Sequence, residues 1–214
     1  MTDTQQVLRC DWATAEAARY ACIHWHYSKS VPAGKMVRVG VWERATFVGV
    51  VLFSRGANNN IGRPYRLTQL QICELTRVAL SAHETPVSRI MAIAVRFLVR
   101  QSPDLRCILS YADPAQGHHG GIYQAGNWLY VGHSTATRHL IVNGAPMHMR
   151  TASSAFGTAS PQQITALTGA PARWDVGRWK YTYLLPLDNA MRAQLAPLAL
   201  PYPRREVSGN APKA

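Results

Sequence analysis

The sequence predicts an α+β fold, a single domain with a mostly antiparallel mixed sheet flanked by helices. Three observations carry this. Two β-rich runs, 36–42 and 46–53, are separated only by Glu43-Arg44-Ala45, which is the spacing of a hairpin. Residues 87–101 place apolar side chains at 87, 90, 91, 94, 95, 97 and 98, a broad helical face that must be buried. Between 70 and 132 the pattern reads strand, helix, strand, short helix, strand. A chain of 214 residues that is 47% hydrophobic can bury a core without disulfide staples, which excludes a disordered polypeptide.

Residues 1–9 are polar and read as a flexible start to a body spanning 10–200. Asp11 is a plausible cap for a first helix that runs to about His24. The hairpin follows. Residues 54–66 carry loop signals throughout. A strand is expected over 70–80, and Pro86 suits the first turn of the helix at 87–101. A short apolar strand over 106–111 leads into a polar turn at 113–121. A short helix at 121–125 and a strand at 127–132 come next. Residues 139–142 and 147–150 suggest another hairpin. Ser160 would cap a helix over 161–167, and 179–185 alternates as a closing strand. Residues 201–214 read as a flexible tail.

Charge narrows the function classes. There are 23 basic and 11 acidic residues, a net charge of +12, and 19 of the basic residues are arginine. Arginine forks onto phosphates and stacks on bases, so the bias points to a nucleic-acid partner. No run approaches a membrane span, and the N-terminus lacks the apolar segment of a signal peptide. Cys10, Cys22, Cys73 and Cys107 are isolated and read as reduced, buried thiols, which argues against a cysteine zinc site.

Four segments carry candidate chemistry. His24-Trp25-His26-Tyr27-Ser28 closes the first helix, with aromatic packing as the plain alternative. Tyr111-Ala-Asp113-Pro-Ala-Gln-Gly-His118-His119 follows a strand end, where open sheets place reactive groups. Asp113 there would be a base, a metal ligand or merely the cap of an Asx turn. Two histidines, one tyrosine and one aspartate in this segment would suit a mononuclear N/O-type metal, although no spaced metal motif accompanies them. Ser88 and Arg89 at the start of the helix at 87–101, with Arg77 on the strand before it, would receive a phosphate-bearing donor, although a loop without glycine favours a plain strand-to-helix connection. The loop from Arg55 through Arg63 to Arg66 contains three arginines, three asparagines and no acid, so it would contact DNA. Trp25 and Trp128 lie near basic segments and could stack a base, although core packing is the commoner fate of a tryptophan.

These blocks are also familiar together. His26-Tyr-Ser, Pro32-x-Gly-Lys35, Gly40-Val-Trp-Glu43, Phe53-Ser-Arg-Gly-Ala-Asn58, Cys73-Glu-Leu-x-Arg-Val-Ala79, Pro86-Val-Ser-Arg89, Tyr111-Ala-Asp113 and Gly117-His-His-Gly-Gly-Ile-Tyr-Gln-Ala125-x-Asn-Trp128 resemble the Mom DNA-modification proteins of Mu-like phages, in order over about 10–187. The resemblance implies conversion of adenine in double-stranded DNA to an N6-carbamoylmethyl form in the host cytoplasm, which shields phage DNA from restriction. It also implies a GNAT-like fold, which would bring the first helix over the parted strand ends, so that His26, Tyr27 and Asp113 would meet as acid–base and orienting groups or hold a mononuclear metal such as iron. Residues 122–132 are similar to a GNAT segment whose tyrosine, here Tyr123, acts as general acid toward a departing thiolate. The usual pyrophosphate motif is absent, because the loop reads Ser81-Ala-His-Glu-Thr-Pro-Val-Ser-Arg89. The donor, acyl-CoA-like or otherwise, the need for a metal, the flanking sequence and the oligomeric state therefore stay open. The competing readings are a GNAT-type acyl-CoA-dependent transferase acting on a protein or small-molecule amine, and a non-catalytic DNA-binding protein.

Overall fold

The computed structural model describes residues 8–32, 34–56, 60–147 and 149–204. The expectations for 1–7 and 205–214 lie outside the described residues. The chain has the expected α+β class, a large and mostly antiparallel sheet with helices on its faces. Within the span expected to form one body, the chain gathers into two compact units.

Among the described residues, the first unit comprises 8–112, 118–132 and 181–204. Strand β1 (Leu8–Trp12) occupies the segment expected to open the first helix and pairs antiparallel with β2 (Met36–Glu43). Asp11 therefore does not cap the helix. The cap of α1 (Ala15–Trp25) is Thr14, whose Oγ1 accepts the Ala17 N–H at 3.1 Å. The β2–β3 hairpin turns at Arg44 and Ala45, with φ of 44° and 69°. Two left-handed residues give the turn twist that suits a hairpin, here without the glycine that normally signals it.

Strand β3 (Thr46–Ser54) pairs antiparallel with β4 (Ile72–Leu80). The register shifts so that Thr76 is left over between Leu52↔Arg77 and Phe53↔Leu75, a bulge. Helix α2 (Val87–Gln101) crosses from β4 to β5 (Cys107–Ala112), which runs parallel to β4. Its buried residues Ile90, Met91, Ala94, Val95 and Leu98 join Val39, Val51, Phe53 and Leu75 in the main core. The opposite face is covered by α1. Its small residues Ala18, Ala21 and Cys22 pack with Val50, Leu52 and Ala79.

Helix α3 (Gly121–Ala125) matches its expected bounds and precedes β6 (Leu129–His133). Strand β10 (Tyr181–Pro186) lies between β5 and β6 in the seven-stranded sheet. Helix α6 (Asn189–Leu195), which no local pattern announces, is capped by Asp188, whose Oδ1 accepts the Met191 N–H at 2.8 Å. Residues 201–204 are not loose. The Tyr202 hydroxyl donates to the Trp128 carbonyl at 2.7 Å, and the Gln124 amide donates to the Pro203 carbonyl at 3.1 Å.

The second unit comprises residues 113–117 and 133–180. Strands β7 (Leu140–Val142), β8 (Ala145–Met147) and β9 (Ala172–Trp174) form a small sheet in the order β8-β7-β9. The expected hairpin forms, but its second strand ends at Met147. Residues 149 and 150 begin α4 (Met149–Phe156). Helix α5 (Pro161–Thr168) follows, with Ser160 at the cap position but making no side-chain cap bond. Leu140, Val142, Ala152 and Ile164 form this unit's core. Among the described residues no helix is long and apolar enough to cross a membrane.

Candidate active site

Strands β4 and β5 pair only from Ile72↔Cys107 to Leu75↔Ser110. Beyond that point β4 continues to Leu80 against β3, and β5 continues to Ala112 against β10. The Thr76 bulge sits where they part, and its hydroxyl donates to the Leu52 carbonyl at 3.0 Å. The divergence opens a gap between the two strands, and Ser110 stands at its edge.

Ser110 marks one side. Its Oγ lies 2.8 Å from the Leu75 carbonyl and 2.8 Å from the Tyr123 hydroxyl. A serine has one proton to give and a carbonyl can only accept, so Ser110 donates to Leu75 and Tyr123 donates to Ser110. Tyr123 is buried, and desolvation pushes its phenol up to about 12, so it stays protonated at neutral pH. Tyr27 and Glu74 act electrostatically on that phenol in the same direction.

His26 ends α1 and is 8% exposed. Its Nδ1 lies 2.8 Å from the Ser28 hydroxyl and 3.1 Å from the Ser28 N–H. Accepting the N–H places the ring proton on Nε2, whereas donating to the hydroxyl frees the Nε2 lone pair. Burial, then Arg77, His118 and Lys29, lower its pKa to about 4, so the ring is neutral at physiological pH. The Tyr27 ring stacks on His26 at 4.2 Å and meets the edge of His118 at 5.3 Å. Arg77 comes from β4 on the side of α1. One guanidinium nitrogen donates to the Thr76 carbonyl at 2.8 Å, and its Nε is buried without a partner.

The structure thus brings His26, Tyr27, Arg77, His118 and Tyr123 together and adds Ser110. Sequence reasoning missed Ser110, although a serine inside the apolar run Cys-Ile-Leu-Ser-Tyr-Ala was a signal. Asp113 follows β5 directly in the chain but belongs to the second unit. One of its oxygens accepts the Ala115 N–H at 3.0 Å, which is the Asx-turn role. As metal ligands, His26 and Tyr27 supply one nitrogen and one oxygen. Among the described residues no three His, Cys, Asp or Glu side chains cluster to hold an ion.

A family model described as the Mom protein family matches residues 7–204. The chain belongs to the Mom family. Comparison with curated protein sequences gives no match. Membership supports a role in DNA modification and implies a DNA substrate, as the arginine content suggested.

The other residues singled out from the sequence of this Mom-family protein fall elsewhere in the first unit. Ser88 and Arg89 lie in the first turn of α2, as expected, and Arg89 is exposed. The loop before them is already satisfied internally. The buried Glu43 carboxylate accepts the N–H groups of Glu84 and Thr85 at 2.9 and 2.7 Å, and the bonds from Thr85 and Glu84 hold its pKa down. Arg55 is exposed, but its guanidinium donates to the Gln69 and Leu70 carbonyls at 2.8 and 3.3 Å. Arg63 and Arg66 are exposed on a tight turn, Arg66 with φ of 56°. Asn58 and Asn59 lie outside the described residues, and Asn60 is exposed. Trp25 is half-buried against Phe47, and Trp128 is only 2% exposed. Trp128 is therefore a core residue and not a platform for a base.

Proposed function

We propose that this Mom-family protein is a phage enzyme that converts adenine in double-stranded DNA to N6-carbamoylmethyl adenine in the host cytoplasm, so protecting phage DNA from restriction. Membership of the Mom family over 7–204 carries the reading. A strand–helix–strand–helix–strand core with a parted parallel pair supports a GNAT-like transferase beneath it. The adenine N6 lone pair is delocalised into the ring, so the enzyme must take a proton from N6, activate the incoming carbon, or both. Asp113 is the proton acceptor in this reading. His26 is neutral at working pH, and its ring nitrogen and the Tyr27 hydroxyl orient the base in this reading. Arg77, with Nε unpaired, suits a carbonyl or anionic oxygen of the donor. Tyr123 holds its proton on Ser110 and can pass it to a leaving group only if that bond is exchanged. To reach N6, the adenine leaves the base stack. No step is assigned to a metal or to a bound CoA.

Nucleoside mass spectrometry of plasmid DNA from cells expressing the protein tests this. Wild type is expected to yield the N6-carbamoylmethyl nucleoside. Separate Asp113→Asn, His26→Ala and Tyr27→Phe proteins are expected to stay folded, bind DNA and yield none. Unmodified DNA from wild-type cultures that express the folded protein would sink the reading, and near-normal yield from any one variant would remove that residue from the chemistry.

A further inference from the structure

The second unit has a surface that the chemistry above does not use. Residues 133–180 contain five Lys or Arg and one acid, Asp175. That acid is turned inward, with its side chain 13% exposed. One oxygen accepts the His139 N–H at 2.7 Å, and the other lies 3.7 Å from His139 Nδ1 and 3.8 Å from Arg178 Nε. Arg138, Arg173, Arg178 and Lys180 are exposed. Solvent therefore meets cations without carboxylates in this segment, where a surface serving solubility alone mixes both signs.

The same unit contains two eight-residue helices, α4 and α5, joined by the four residues 157–160. Gly157 takes a φ of 71° at the start of that turn. This is the connectivity of a helix-turn-helix. Helix α5, Pro-Gln-Gln-Ile-Thr-Ala-Leu-Thr, has no charged residue, and only Pro161 and Ile164 are buried. Gln162, Gln163, Thr165, Ala166 and Leu167 are exposed, Leu167 at 67%. The amide oxygens of Gln162 and Gln163 accept the Ser160 and Thr158 hydroxyls, which leaves their N–H donors as the remaining capacity. An exposed helix normally carries charge on its solvated face. A neutral face of amides and methyl groups, in a segment whose exposed charges are cationic, matches the donors, acceptors and thymine methyls of the major groove.

We infer that the second unit is a duplex-DNA docking module, with α5 facing base edges in the major groove and Arg138, Arg173, Arg178 and Lys180 on phosphates. The inference rests on double-stranded DNA being the substrate.

Fluorescence anisotropy of the full-length protein on duplexes about three helical turns long and of varied sequence, across a salt series, tests it. Replacing the four cations by alanine is expected to weaken binding by about tenfold or more at low salt. It should also flatten the plot of log affinity against log salt by roughly 0.9 for each phosphate no longer neutralised. Arg173→Glu alone should act in the same direction, and circular dichroism checks the fold of each variant. Gln162→Ala with Gln163→Ala should keep the slope but cut discrimination among duplexes by about fivefold or more, the low end for removing one bidentate pairing to a base. An unchanged slope in both cation variants overturns the module, as does a glutamine variant with undiminished discrimination. A preference for single-stranded RNA over duplex would also overturn it. Wild type that binds duplex through these residues yet makes no modified nucleoside would instead sink the enzyme reading and leave the module standing.

Discussion

His26 is held neutral by its surroundings, and that has a consequence for stability. Burial first, then the positive charges of Arg77, His118 and Lys29, lower its pKa from 6.5 to about 4. Between those pH values the unfolded chain binds a proton that the folded chain refuses. Stability from this residue is therefore complete above about pH 6.5 and is lost as pH falls toward 4. The expected loss is on the order of 3 kcal/mol at most. Thermal melts at neutral pH and about two units lower should show a larger drop for wild type than for His26→Gln, and equal drops would remove the residue as the cause. Ser110 is the second test at this scale. Ser110→Ala strips the buried Tyr123 hydroxyl and the Leu75 carbonyl of a partner, which should cost about 1–3 kcal/mol in urea unfolding. A smaller cost would mean that water replaces the serine there.

Turns and loops set the geometry of the elements around the site. Gly120 caps α3 from the left-handed region with φ of 89°, and a β-carbon there would fall 2.3 Å from the Tyr183 ring. Gly120→Ala should therefore cost about 2 kcal/mol or more from backbone conformation and clash together. It should also disturb Tyr183, whose hydroxyl donates to the His119 carbonyl at 2.6 Å. The opposite sign is expected at the β2–β3 turn. Ala45 sits at φ of 69°, where a β-carbon is unfavourable. Ala45→Gly should raise stability by about 1 kcal/mol, measured as a higher urea midpoint with an unchanged m-value. A lower midpoint would show that chain entropy outweighs the relief.

For the whole molecule the measurable quantity is the salt dependence of DNA binding. Arg63→Ala with Arg66→Ala should flatten the slope by up to about two if both touch phosphate. Arg55→Ala should instead lower stability, because its guanidinium ties β3's exit to the Gln69 and Leu70 carbonyls. A slope that falls with Arg55 alone would reverse these assignments. Much of this is legible in the sequence. Periodicity locates α2 and α3 within their bounds, because a broad apolar face or a compact glycine-bounded turn is a local property. The ordered blocks around His26, Cys73 and Asp113 are enough to indicate the family. Strand β1 is not legible, since a short mixed run becomes a strand only when β2 offers it an edge. Ser110 is not tied to the site by sequence, because its meaning comes from the Tyr123 hydroxyl and the Leu75 carbonyl, which only the fold brings to it. Composition by itself determined the net charge and pointed to a nucleic-acid partner. Only tertiary structure decided where β4 parts from β5, which side chains face that gap, and that the lone acid of 133–180 turns inward, because each depends on the meeting of segments that no local pattern records.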